Sequence, residues 1–177
     1  LRKPQVLILE PTRELAMQTR EEVMNISRDM RMGSLAVFGG FPIRRQIEQL
    51  REGPQVIVAT PGRLADMIER RAIDLSQIEM LIIDEVDQMM DMGFSRAVVE
   101  IWEQLTNLQQ VRTFYATYTR EITAIIDDNM KGGYESLILS KTPTVDTIDH
   151  VFMRVGTRDK YPLLKRTLER FPDHKVI

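Results

Sequence analysis

The sequence predicts an α/β domain in which a parallel β-sheet carries helices on both faces. Short apolar runs bounded by charged or turn residues, such as Met80–Ile83, are typical of strands buried on both sides of a parallel sheet. Between these runs, side chains that can face a core recur at helical spacing, as at Leu15, Thr19, Val23 and Ile26. Strands that alternate with helices in this way favour a parallel sheet joined by helical connections.

The strand candidates, in chain order, are residues 5–9, 35–38, 55–59, 80–83, 111–115 and 136–139. Helical spacing marks the segments between them, at Ile43, Ile47 and Leu50, at Val98, Val99, Trp102 and Leu105, and at Ile122, Ile125 and Ile126. Two helix starts are well defined. Thr60 can cap a helix whose first residue is Pro61, and Thr119 can cap the helix after residue 115.

Composition excludes several classes of protein. The 177 residues include 43% apolar residues, enough for a folded core, and the charged residues nearly cancel to a net charge of −2. A nucleic-acid site would therefore have to be local. The sequence has no cysteine and only two histidines, which excludes a disulfide scaffold and leaves little material for a zinc site. Apolar runs fall far short of the ~20 residues that span a bilayer. We expect an intracellular protein, cytoplasmic or nuclear, without a membrane partner.

The segment with the strongest chemical signal is Met80–Ile83 and the acidic residues that follow it. Asp84, Glu85 and Asp87 stand at the end of a strand, and ligands of parallel sheets gather at the carboxyl ends of strands. Adjacent carboxylates at this position suit a nucleotide triphosphatase, in which one holds Mg²⁺ through its waters and the next orients the attacking water. Taken alone, an Asp-Glu pair is more often a solvated acidic turn.

Other motifs surround this acidic segment. Residues 11–16 read PTRELA, Gly39-Gly40 is followed by Gln46, residues 60–63 read TPGR, and residues 115–117 read YAT. Together with DEVD at 84–87, the set resembles the first-domain motifs of the DEAD-box RNA helicases, in that family's order. The resemblance implies a RecA-like fold, ATP and Mg²⁺ as cofactors, and RNA as the main partner, single-stranded or in a locally opened duplex, with protein cofactors as further partners.

The resemblance also assigns roles to individual residues. Asp84 would hold the metal and Glu85 the attacking water, so that both contact the nucleotide. Asp87 and Thr117 would couple ATP hydrolysis to the grip on RNA. Nine residues would form the track for the RNA backbone: Pro11, Thr12, Arg13, Gly39, Gly40, Thr60, Pro61, Gly62 and Arg63. Arg13 and Arg63 independently favour a phosphate ligand, because both lie where a loop enters a helix. Such contacts read the backbone rather than the bases.

Two departures of the sequence from the family pattern bear most on function. Tyr115 replaces a serine that bonds the last acidic residue of the motif, so we expect the link between Asp87 and this loop to be disturbed. A phosphate loop of the form G-x-x-x-x-G-K-[ST] does not occur in the sequence, although the family has one before PTRELA. We expect this loop in an upstream segment. The strand that leads into it would lie between the strands ending near Ile83 and Phe114, and without it those two strands would be unpaired.

These observations predict two domains and leave more than one function open. Residues 1–143 would form the first RecA-like domain, without its upstream part, and residues 144–177 a linker and the beginning of a second one. The leading function is an RNA-dependent ATPase and helicase, although this segment alone would be inactive. A non-catalytic RNA-binding or scaffold module derived from such a helicase is the main alternative, and a DNA-directed relative is a weaker one.

Overall fold

The strands of the sheet lie close to their predicted positions. We describe a computed structural model, which covers residues 3–30, 32–117, 119–130, 133, 135–137 and 153–170. Its strands are β1 (Val6–Leu9), β2 (Ser34–Val37), β3 (Val56–Ala59), β4 (Met80–Ile83) and β5 (Gln110–Thr113). Each has four residues and corresponds to one of the predicted apolar runs.

Helices connect the strands, and the apolar spacing predicts those over residues 13–26, 43–50, 95–103 and 120–129. They are α1 (Arg13–Ile26), α2 (Ile43–Leu50), α3 (Pro61–Glu69), α4 (Val86–Asp91), α5 (Ser95–Glu103) and α6 (Arg120–Asn129). The Thr119 hydroxyl accepts a hydrogen bond from the Ile122 N–H at 3.3 Å, which confirms the predicted cap of α6. Pro61 is the first residue of α3, as predicted, but the Thr60 side chain makes no capping hydrogen bond.

The sheet is parallel, and its strand order is β2-β3-β1-β4-β5. Side chains of alternate residues enter two separate cores. Leu7 and Leu9 belong to a large core with residues of α3, α4, α5 and α6, whereas Ile8 belongs to a smaller core with Ala16 and Val23 of α1. The predicted arrangement, with helices on both faces of a parallel sheet, is therefore confirmed.

The lateral position of β4 and β5 corrects one expectation. Ile83 of β4 is in register with Thr113 of β5, and the Phe114 N–H donates to the Ile83 carbonyl oxygen at 2.8 Å. No strand separates the two, so the prediction that they would be unpaired without an upstream strand between them was wrong. Direct pairing satisfies their facing backbone groups, and the edge strands of this sheet are β2 and β5.

The chain divides into two units, Leu1–Ile138 and Leu139–Ile177. The second contains a 3₁₀-helix at Thr157–Asp159 and helix α7 at Lys160–Arg170. The sixth predicted strand, at 136–139, is not formed at Ser136 and Leu137, which are both exposed and so have no core to face. Its other two residues, and the predicted domain boundary after Pro143, lie outside the described residues.

Candidate functional site

The motifs singled out in the sequence all follow the carboxyl ends of strands, which lie along one edge of the sheet. Because Leu9 is in register with both Ala59 and Ile83, the parallel strands end at the same level. The strand order places the ends of β2, β3 and β1 side by side, and they carry the Gly-Gly, TPGR and PTRELA motifs. The ends of β4 and β5 carry the acidic motif and residues 115–117. The edge thus has two adjacent halves, which meet between β1 and β4.

The acidic half begins with a sharp turn at Glu85. Its backbone has φ of +46°, in the left-handed region that residues other than glycine seldom adopt. The Glu85 N–H donates to Asp84 Oδ1 at 2.9 Å, and the Val86 N–H donates to the Phe114 carbonyl oxygen at 3.0 Å. The first bond orients the Asp84 carboxylate, and both bonds hold the backbone turn at the junction of β4 and α4. Strain of this kind is characteristic of functional sites.

Asp87 connects the acidic motif to the loop after β5. Its Oδ2 accepts hydrogen bonds from the backbone N–H groups of Ala116 at 3.2 Å and Thr117 at 2.9 Å. The sequence predicts that Asp87 and Thr117 act together, and the structure brings them together. Both donors belong to the backbone, so this link does not require a serine hydroxyl at position 115. The expected disturbance by Tyr115 therefore does not apply to these two bonds.

Glu10 is a carboxyl group at the boundary of the two halves that sequence reasoning did not identify. It follows β1 directly and is only 1% exposed. Its Oε1 accepts a hydrogen bond from the Thr19 hydroxyl at 2.6 Å, and its Oε2 is buried with no partner among the described residues. Burial raises the pKa of Glu10, the Thr19 hydrogen bond opposes this, and the charges of Asp84 and Glu85 raise the pKa further.

Arg13 lies against the Gly-Gly turn in the other half of the edge. Its guanidinium carbon is 5.4 Å from the centroid of the Phe38 ring, within the range of a cation–π contact. A Cβ on Gly40 would lie 3.5 Å from Arg13 Nη1, and Gly40 has φ of +78°. A larger residue at position 40 would thus be strained by its backbone conformation and would contact the arginine. PTRELA and the Gly-Gly pair are in direct contact through these residues.

Arg63 joins the TPGR motif to the same turn. Its Nη1 donates to the Phe41 carbonyl oxygen at 2.9 Å and to Gln46 Oε1 at 3.0 Å. Gln46 is buried, and its amide donates to the Phe38 carbonyl oxygen at 3.2 Å. The side chain of Arg63, predicted as a phosphate contact, therefore also holds the loop in place. A guanidinium has five N–H donors, and these bonds use Nη1 alone.

The nine predicted RNA-track residues differ in exposure. Arg13, Gly39, Gly40 and Gly62 are exposed at the edge, whereas Thr12 and Arg63 are half-buried. Pro11, Thr60 and Pro61 are buried and form the turns into α1 and α3. The Thr12 hydroxyl accepts from the Leu15 N–H at 3.3 Å and so caps α1. The surface offered to a ligand consists mainly of glycines and two arginines.

The described residues contain no group of three or more metal-binding side chains. Mg²⁺ keeps several of its waters and is usually bound through one or two carboxylates and the phosphates of a nucleotide. Asp84, half-buried at the end of β4, can supply such a carboxylate.

A model of the DEAD/DEAH box helicase family matches residues 1–125. The chain belongs to this family. The resemblance deduced from the motifs is therefore confirmed, and it covers the whole edge described above.

Curated members of the DEAD-box family align along nearly the entire chain. It is 36% identical to the ATP-dependent RNA helicase CshA of Limosilactobacillus reuteri over 174 residues, which are 98% of the chain and 35% of that protein. It is 39% identical to the ATP-dependent RNA helicase DeaD of Escherichia coli over 96% of the chain and 27% of that protein. The chain thus spans about a quarter to a third of the length of these relatives.

Solved structures of DEAD-box proteins have the same fold. A hypothetical ATP-dependent RNA helicase from Sulfolobus tokodaii superimposes with a TM-score of 0.71 at 38% identity, over 75% of this chain and 39% of that chain. The yeast DEAD-box splicing factor Prp28 gives a TM-score of 0.67 at 33% identity, over 71% and 30% of the two chains. The predicted RecA-like fold is confirmed. Within the described part of the chain, no helix is long and apolar enough to cross a membrane.

The structure shows contacts of two residues at this edge, Glu10 and Gln46, that the sequence did not predict. A signal for Glu10 was present, since a lone carboxyl group directly after the buried run Val6–Leu9 parallels Asp84 after Met80–Ile83. Gln46 stood in the recognised motif but carried no predicted contact. Its bonds to Arg63 and Phe38 depend on how α2, α3 and β2 pack, which no local pattern encodes.

Proposed function

We propose that the protein containing this chain is an ATP-dependent RNA helicase that couples ATP hydrolysis to local opening of RNA duplexes. The observation that carries this proposal is the two-part edge of the sheet, in which Asp87 ties the acidic motif to residues 115–117. The named relatives support it, because they are ATP-dependent RNA helicases. This chain spans only part of the length of those relatives, so the proposed activity belongs to the whole protein.

On the acidic half, Asp84 holds Mg²⁺ through water, and Glu85 orients the water that attacks the terminal phosphate. Mg²⁺ supplies charge neutralisation to the phosphate oxygens when it is bound. The turn at Glu85 supports these roles, because both residues lie at the end of β4 and the Asp84 carboxylate is oriented by the Glu85 N–H. Phosphate binding also requires a phosphate loop, which the proposal assigns to an upstream segment.

On the other half, the track formed by the PTRELA, Gly-Gly and TPGR residues holds the backbone of single-stranded RNA. Arg13 and Arg63 supply positive charge, and the exposed glycines let the RNA backbone approach closely. Residues 144–177 would begin a second RecA-like domain, and protein cofactors could regulate the enzyme. The proposal includes an intracellular location, because RNA is the partner.

The test is Glu85→Gln in the full-length protein. We expect ATP binding to be retained and RNA-stimulated phosphate release to be lost, because a water-orienting group acts on the transition state more than on the bound nucleotide. Glu103→Gln, an exposed site at the end of α5, is the matched control and should behave as wild type. Phosphate release near the wild-type rate in Glu85→Gln would contradict the assignment.

The same measurement separates the enzyme from a non-catalytic RNA-binding module. Such a module would bind RNA, but its phosphate release would be absent in wild type and unaffected by Glu85→Gln. The geometry favours the enzyme, because the Asp87 link to residues 116 and 117 is intact despite Tyr115.

A further inference from the structure

An exposed aromatic ring lies at the Gly-Gly turn of the proposed RNA track. Phe41 directly follows the Gly-Gly pair and is 37% exposed. Its ring centroid lies 6.2 Å from that of Phe38, with the ring planes tilted by 56°. Phe38 itself is 9% exposed and lies beneath the Arg13 guanidinium. Phe41 is therefore the accessible member of an aromatic pair at this edge.

The backbone around this ring is fixed rather than free. Arg63 Nη1 donates to the Phe41 carbonyl oxygen at 2.9 Å. Pro42, the next residue, limits the backbone conformation of Phe41 and immediately precedes α2. A ring held in this way loses little conformational freedom when a flat ligand covers it.

Position and chemistry together identify the ligand of this ring. Arg13 lies over Phe38, the ring next to Phe41, and Arg63 bonds the Phe41 carbonyl oxygen. The two arginines carry the charge that attracts a phosphate backbone, whereas the Phe41 ring offers a flat apolar face. A nucleic-acid strand presents both kinds of group, with a base attached beside each phosphate. Aromatic side chains next to a basic groove are the usual platforms for bases of single strands.

We infer that Phe41 is a stacking platform for one unpaired base of the RNA, and thus a determinant of the preference for single strands over duplexes. This inference rests on the proposed function and deepens its RNA site. In a duplex, both faces of a base are covered by its neighbours, so only an unpaired base can stack on Phe41. Stacking of this kind accepts every base and adds to backbone contacts without selecting a sequence.

The test compares two RNA strands in the full-length protein. One is an oligouridylate of about ten nucleotides, within the usual range of site sizes, and the other has the same backbone without bases. For Phe41→Ala, we expect affinity for the oligouridylate to fall by roughly fivefold to a hundredfold, the usual effect of removing a stacking aromatic residue. Affinity for the base-free strand should equal that of wild type. Phe41→Tyr should bind both strands as wild type does.

Met24→Ala is the control for losing an exposed apolar side chain. Met24 is on the C-terminal part of α1, whereas the RNA-track residues lie at the start of that helix, so both affinities should be unchanged. Equal losses on both strands for Phe41→Ala, or a change below twofold on the oligouridylate, would overturn the inference while leaving the proposed function intact. Failure of wild type to bind either strand would overturn the proposed function itself. A thermal transition matching wild type verifies that Phe41→Ala is folded.

Discussion

Asp87 and Thr117 are joined by a hydrogen bond of 2.9 Å from the Thr117 backbone N–H to the Asp87 carboxylate. The adjacent N–H of Ala116 donates to the same oxygen at 3.2 Å. A single carboxylate oxygen at the start of α4 therefore anchors the loop after β5. Because the donors are backbone groups, the contact tolerates a change of side chain at position 115. This explains how a chain with tyrosine in place of serine retains the link.

Replacing Tyr115 with serine should change helicase coupling little. The bonds from Ala116 and Thr117 to Asp87 remain possible with either side chain, so duplex opening per ATP consumed should stay within about twofold of wild type, well below the effect of losing a charge-assisted hydrogen bond. The measurement is paired unwinding and phosphate-release assays on the full-length protein. A selective rise in unwinding per ATP would show instead that the serine hydroxyl adds a bond that these backbone groups do not supply.

Gln46 should support RNA binding without touching RNA. In Gln46→Met, the Phe38 carbonyl oxygen and the Arg63 guanidinium each lose a partner near the buried site, so the free energy of unfolding should fall by about 1–3 kcal/mol. RNA affinity should also fall, because Arg63 and the Gly-Gly turn lose their fixed geometry. Urea unfolding and RNA titration measure the two effects. Gln49→Met, exposed on the same helix, is the control, and equal behaviour of the two variants would contradict the role of Gln46.

Glu10 should make the stability of the fold depend on pH. Folding raises the pKa of Glu10 above its ordinary value of 4.5. Between pH 4.5 and that raised pKa, the folded state binds more protons than the unfolded state, so the free energy of unfolding falls as pH rises. Glu10→Gln removes this loss and should be more stable than wild type at pH 7. The difference should shrink as pH falls towards 4.5 and should no longer change with pH below that value.

Urea unfolding of wild type and Glu10→Gln at a series of pH values provides the measurement. Glu103→Gln removes one exposed carboxylate and should show no such pH-dependent gain. A difference between wild type and Glu10→Gln that stays constant with pH would indicate that the buried charge is not the cause.

At the left-handed turn of Glu85, a glycine variant should be more stable than an alanine variant, the reverse of their usual order. At φ of +46°, glycine avoids the steric cost of a Cβ, so Glu85→Gly should be more stable than Glu85→Ala by about 1 kcal/mol. At Glu100, inside α5, the order should be the opposite, because glycine weakens a helix interior. Thermal unfolding of the four variants tests this. Alanine at least as stable as glycine at position 85 would argue against a strained turn.

The sequence predicts the strands well because each buried strand is a short apolar run with charged or turn residues at its ends. Residues 80–83 match β4 without any shift, whereas the prediction for β5 begins one residue late and ends two residues late. β5 is an edge strand with exposed Gln110 and Arg112, so its apolar pattern is weaker. The lateral order of the strands, unlike their positions in the sequence, cannot be read from local patterns. Helical connections allow many orders of parallel strands, and the pairing of β4 with β5 appears only in the fold.

The candidate site is divided in the same way. Strand ends and motifs place Asp84, Glu85 and Arg13 at one edge from sequence alone, because parallel strands end together. The contacts made there depend on tertiary packing. Arg63 bonding to Phe41 and Gln46 requires α2 and α3 to meet over the Gly-Gly turn, and the burial of Glu10 requires α1 to cover the end of β1.

The measurement that tests coupling most directly is the effect of a non-hydrolysable ATP analogue on RNA affinity in wild type and in Asp87→Ala. In wild type, we expect the analogue to strengthen RNA binding by roughly 5- to 150-fold, and RNA to strengthen binding of the analogue by the same factor. Asp91→Ala, exposed on the same helix, should retain this factor. In Asp87→Ala, each ligand should still bind alone but without affecting the other. Wild-type coupling in Asp87→Ala would contradict the proposal that Asp87 couples nucleotide binding to RNA binding.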